Sequence, residues 1–117
     1  MSRVLVVEDD LDIRELVASV LAEHGHEVAS AGDGREALGL LSAFAADVIL
    51  LDMRMPVLDG WAFAREYAAQ PGPHARIVVC TAARDASSSA ASIRADAWLA
   101  KPFDLAELLQ AVARQAG

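Results

Sequence analysis

The sequence predicts an α/β fold built on a five-stranded parallel sheet with helices on both faces. Two observations carry that prediction. Five short apolar runs alternate with helical patterns in strict order, and such alternation makes a parallel sheet. The runs at 3–7 (RVLVV) and 47–51 (DVILL) are apolar almost throughout, as strands covered on both faces must be. A chain of 117 residues is one domain's worth and long enough to bury a core.

Each element has its own signal. Residues 3–7 form the first strand. The first helix starts near Leu11 with Asp10 as its N-cap; Ile13, Leu16, Val17, Val20 and Leu21 mark its apolar stripe, and Gly25 closes it. EVASA (27–31) is the second strand. Asp33 and Glu36 form an N-cap and its partner ahead of Ala37, Leu40, Leu41 and Phe44. After the third strand, residues 60–70 read as a helix ended by the breaker PGP, with Trp61, Phe63 and Tyr67 as packing and surface. RIVVC (76–80) is the fourth strand. The helix predicted over 84–94 is weak, since it holds Ser87, Ser88 and Ser89 and one large apolar residue, Ile93. Residues 84–94 and their flanks, 83–95, are therefore expected to be the most mobile ordered segment. AWLA (97–100) is the fifth strand. Asp104 and Glu107 repeat the capping pattern before Leu105, Leu108, Leu109 and Val112.

Composition narrows the function. The 55% apolar fraction includes 25 alanines, so the core should use modest side chains on many helices. The longest apolar runs are strand-length, which predicts no membrane span, and strand-like residues begin too early for a signal peptide. The single cysteine, Cys80, reads as a small core residue in a reduced, cytoplasmic setting. Ten basic and 17 acidic residues give a net charge of −7, and five acids crowd between Glu8 and Glu15. Such a surface repels a phosphate backbone, so direct nucleic-acid binding is not expected.

Open parallel sheets bind ligands beyond the carboxyl ends of their strands. There the sequence places Glu8-Asp9-Asp10, Asp52, Thr81 and Lys101-Pro102. Thr81 is the only threonine, and Lys101 is the only lysine beside nine arginines. A compact ammonium suits single-point contact with a phosphate. Converging carboxylates repel one another unless a cation sits between them, and oxygen-only donors suit Mg²⁺. His24, His26 and His74 share no ligand spacing.

Four motifs, VLVVEDD, DVILLDMRMPVLDG, VVCTA and WLAKPF, stand in an order that resembles the receiver domain of two-component response regulators. The resemblance spans essentially the whole chain and implies a doubly wound, flavodoxin-like sheet of order 2-1-3-4-5 in a three-layer sandwich. It implies Asp52 as phosphoacceptor, and an Mg²⁺ site of Glu8, Asp9, Asp52 and the Arg54 backbone carbonyl. Thr81 would hydrogen-bond the phosphoryl group and Lys101 would ion-pair with it. Trp98 falls where the family keeps a switch aromatic, although an aromatic there also suits simple cover for a neighbouring helix. A cis Lys101-Pro102 bond is implied as well.

The resemblance further implies a sensor histidine kinase or histidine phosphotransfer protein as donor, and a downstream protein target or effector domain. The domain expected is a single receiver over 1–117 with no effector domain, not a turnover enzyme, and a monomer or weak dimer. Two departures are visible: Arg94-Ala95 stands where the family keeps Gly-Ala, and Thr81 and Lys101 lie slightly closer than usual. A phosphatase working through an aspartyl-phosphate is a rival, but it needs a second acid where Arg54 stands. A receiver that is never phosphorylated is another.

Overall fold

The computed structural model describes residues 2–116; Met1 and Gly117, the ends of the predicted domain, lie outside the described residues. In chain order the elements are β1 (Arg3–Val7), α1 (Leu11–Glu23), β2 (Glu27–Ala31), α2 (Gly34–Leu41), β3 (Val48–Leu51), α3 (Gly60–Ala68), β4 (Arg76–Ala82), α4 (Ala83–Ile93), β5 (Ala97–Lys101) and α5 (Leu105–Ala116). The strands form one parallel sheet in the order β2-β1-β3-β4-β5, as the motifs imply.

Strand alternation divides the core in two. Leu5, Val7, Ile49, Leu51 and Val79 face one layer with Ala37, Leu38, Phe63, Tyr67 and Ala90. Val4, Val6, Val48, Leu50, Val78, Cys80 and Leu99 face the other, with Val17, Leu21, Leu108 and Val112. Residues 4–7 and 48–51 are all between 0 and 3% exposed, which explains their unbroken apolar runs. Helix starts follow the predicted caps. The Ile13 and Glu36 N–H groups donate to Asp10 Oδ1 (3.1 Å) and Asp33 Oδ1 (2.9 Å). At α5 the box is reciprocal: Glu107 N–H donates to Asp104 Oδ1 at 2.7 Å, and Asp104 N–H to Glu107 Oε1 at 3.2 Å.

The structure corrects several expectations. Leu16 is 55% exposed and Leu105 41% exposed, so neither belongs to the core. Leu38 is buried on α2, while Leu40, Leu41 and, beyond the helix, Phe44 are half-buried and pack against the same core as expected. The reason is geometric. A helix lying on one face of a sheet buries a limited stripe, Val17 and Leu21 on α1, Phe63, Ala64 and Tyr67 on α3, and Leu108 and Val112 on α5. β4 continues through Thr81 to Ala82, and α4 begins at the next residue with no loop and no side-chain cap. Arg94 is not helical; it is the C-cap of α4 at φ 56°, ψ 43°. A left-handed C-terminal residue is where glycine is preferred, which gives the Arg94 departure its physical meaning.

Candidate functional site

Main-chain hydrogen bonds carry β1 and β3 one residue past their ends and aim a side chain at the same edge. The Glu8 N–H donates to Ala31 O (3.0 Å) and the Asp52 N–H to Val7 O (3.0 Å). Both side chains are thereby buried, Glu8 at 5% exposure and Asp52 at 6%, whereas Asp9 is exposed. Below Asp52 the chain must turn sharply. Leu58 N–H donates to Pro56 O at 2.7 Å around Val57, a β-branched residue held at φ 69°, which is a strained conformation. Gly60 then packs on the backbone it has just left. A Cβ there would stand 2.8 Å from Asp52 O and 2.7 Å from Met53 Cα, so only glycine fits. Asp59 caps α3 through the Ala62 N–H at 2.9 Å, a cap the sequence reading did not single out.

Glu8, Asp9 and Asp52 each offer a carboxylate oxygen within 4.8 Å of the others. Lys101 Nζ lies 2.5 Å from Glu8 Oε1 and 3.8 Å from Asp52 Oδ1. The second Glu8 oxygen accepts the Asp10 N–H at 3.2 Å, and Arg14 donates to the Glu8 carbonyl at 3.1 Å. Glu8 is therefore fixed from three sides. Burial, with the neighbouring Glu8 charge, pushes the Asp52 carboxyl from 3.8 up to about 7, against the pull of Lys101. Burial acts to lower the Lys101 ammonium, but the Glu8 hydrogen bond and the charges of Asp52 and Glu8 hold it above its ordinary value. An oxygen-only cluster of this kind fits a hard cation such as Mg²⁺ and not a soft metal.

The other predicted residues occupy distinct places. Thr81 is buried on β4 beside Ala100 of β5. Lys101 pairs in register with Ala82, and the Lys101-Pro102 bond is cis, as the resemblance implies. Trp98 sits opposite Val79 on the edge strand and is 53% exposed, so it covers little. The Arg54 side chain leaves the acids: its guanidinium lies over Trp61 at 5.5 Å and reaches Asp85 at 3.8 Å. Trp61 in turn donates its indole N–H to Ser92 Oγ at 3.1 Å. No sequence signal marks the contacts to Asp85 and Ser92, because their partners lie about thirty residues apart. Cys80 faces the α1–α5 layer, and burial pushes its thiol up to about 12, leaving it inert near neutrality. A cleft of about 500 Å³ at the opposite end of the sheet, beside Phe44, Tyr67 and His74, holds none of these groups.

Comparison with known proteins agrees with this fold. A family model described as the response regulator receiver domain matches residues 4–113. The response regulator MprA of Mycolicibacterium vanbaalenii is 41% identical over 109 residues, covering 92% of this chain and 47% of the relative. The transcriptional regulatory protein PdtaR of Mycobacterium tuberculosis is 41% identical over 113 residues, covering 94% and 54%. This chain thus spans about half the length of the curated relatives it matches. The chemotaxis response regulator CheY4 of Vibrio cholerae superposes with a TM-score of 0.88 at 34% identity over 98% of each chain. NtrX of Brucella abortus superposes at 0.89 with 31% identity, over 98% of this chain and 26% of its own.

Proposed function

Because this chain belongs to the response regulator receiver family, we propose that it works by accepting a phosphoryl group on Asp52. The observation that supports this most is the placement of one buried carboxylate, Asp52, within 4.8 Å of two others and beside the chain's only lysine. A carboxylate oxygen of Asp52 attacks the phosphorus of a phosphohistidine on a sensor histidine kinase or histidine phosphotransfer protein. The O–P bond forms as the P–N bond breaks, and the imidazole leaves with the electron pair.

The chain's own residues prepare that step. Burial keeps water away from the Asp52 oxygens, and the β3 ladder holds them in one place. Glu8, Asp9, Asp52 and the Arg54 backbone carbonyl would hold Mg²⁺, which when bound supplies charge neutralisation to the phosphoryl oxygens. Lys101, held by Glu8 and 3.8 Å from Asp52, would meet the new negative charge, and Thr81 would hydrogen-bond it. Trp98 is the aromatic proposed to change position with Thr81.

Receiver domains are signalling domains, and we read this one, over residues 1–117, as having no turnover activity on external substrates beyond gain and loss of its own phosphoryl group. A downstream protein or an effector domain would read the altered α4–β5–α5 face, with the chain a monomer or weak dimer in the cytoplasm. Among the described residues no helix is long and apolar enough to cross a membrane. Acetyl phosphate with Mg²⁺ should add one phosphoryl group to the intact protein, and Asp52→Asn should abolish it. Undiminished labelling of the Asp52→Asn protein would remove Asp52 from this role.

A further inference from the structure

We propose that the phosphoacceptor loop is coupled to α4 by a strap of four side chains, Arg54 and Trp61 on one side and Asp85 and Ser92 on the other. The inference rests on Asp52 being the phosphoacceptor and names a route by which its state reaches the helix. Trp61, in the first turn of α3, donates to Ser92 Oγ at 3.1 Å. The same hydroxyl donates to the Ser89 carbonyl at 2.8 Å, so its hydrogen is committed and a lone pair is left for the indole. Arg54, two residues beyond Asp52, lies over the Trp61 ring and reaches Asp85 Oδ2 at 3.8 Å. The strap therefore runs from the loop to both ends of α4, since Asp85 stands in its first turn and Ser92 in its last.

These ties matter because α4 otherwise rests on small side chains and the half-buried Ile93. No side chain caps its N-terminus, and its buried residues are Ala86, Ser89 and Ala90. Arg54 is loosely held, with its side chain 70% exposed and, among the described residues, one carboxylate partner. A phosphoryl group two residues away adds close to two negative charges. The guanidinium carries five donors in a planar fork, enough to meet the phosphoryl oxygens and Asp85 together. Pinned between them above Trp61, it tightens the strap, and α4 is held more firmly. The route is distinct from one through Thr81 and the exposed Trp98.

Amide hydrogen exchange of residues 84–93, with and without Mg²⁺ and beryllofluoride, tests the strap in the whole chain. In the unaltered protein the mimic should slow exchange there about five-fold or more. Asp85→Asn and Ser92→Ala should each cut that response to below about two-fold while the mimic still protects residues 48–54. Asp85→Glu and Ser92→Thr, which keep the carboxylate and the hydroxyl, should restore it; a general loosening of the helix would not be rescued this way. Full slowing in both Asp85→Asn and Ser92→Ala overturns the strap. If the mimic fails to protect residues 48–54 of the unaltered protein, the phosphoacceptor reading falls, and the strap with it.

Discussion

Helices α4 and α5 flank β5 from opposite faces of the sheet, are 11 and 12 residues long, and are held in opposite ways. α5 opens on a reciprocal capping box and inserts Leu108 and Val112, both fully buried, into the core. α4 follows β4 with no side-chain N-cap, fully buries only alanine and serine beside a half-buried Ile93, and ends on an arginine in a left-handed conformation. One helix is a fixed wall beside the Lys101-Pro102 turn. The other rests on smaller side chains and is the helix proposed to respond to the phosphoryl group. Regions that switch are drawn from the low-stability end of a fold, and the small side chains of α4 fit the switching role proposed for it.

The comparison breaks first at Leu108. Leu108→Ala should cost about 3 kcal/mol, since it removes a fully buried side chain from a packed layer. Urea denaturation measures this, and a loss under about 1 kcal/mol would mean that α5 is no firmer than α4.

A second effect lies at the site between the two helices. With its carboxyl raised from 3.8 to about 7, folded Asp52 keeps a proton that the unfolded chain has already released. Metal-free stability should therefore fall as pH rises from about 4 to 7 and level off above that. Asp52→Asn should flatten this slope and leave the protein more stable at neutral pH by about 2 kcal/mol, the lost Lys101 contact offsetting part of the gain. A parallel pH profile in both proteins would show that Asp52 is not crowded by burial and Glu8.

The smallest effect strengthens α4 itself. Arg94→Gly places the preferred residue at φ 56° and should stabilise the fold by about 1 kcal/mol, read as a higher urea midpoint. No change would mean that the left-handed arginine carries no strain.

How much of this could be read in advance depends on whether the signal was local. Asp10, Asp33 and Asp104 announce their helices because a cap and its N–H groups lie three residues apart. The lone lysine pointed to the site because the chain's other basic residues are all arginine. Leu16 misled, because apolar periodicity records which residues lie on one side of a helix and not how wide a stripe the sheet covers. Arg94 was visible as a departure, but its cost needed the backbone angle. Trp61 read only as packing and surface, since its hydrogen bond to Ser92 exists only once α3 and α4 lie side by side.

The most direct test of this account measures amide exchange in α4 and α5 of the unaltered protein, before and after Mg²⁺ and beryllofluoride. The account predicts that residues 84–93 exchange about ten-fold faster or more than residues 108–112 at the outset, and that the mimic slows α4 while α5 hardly changes. An α4 already as protected as α5, or one that the mimic leaves unmoved, would contradict it.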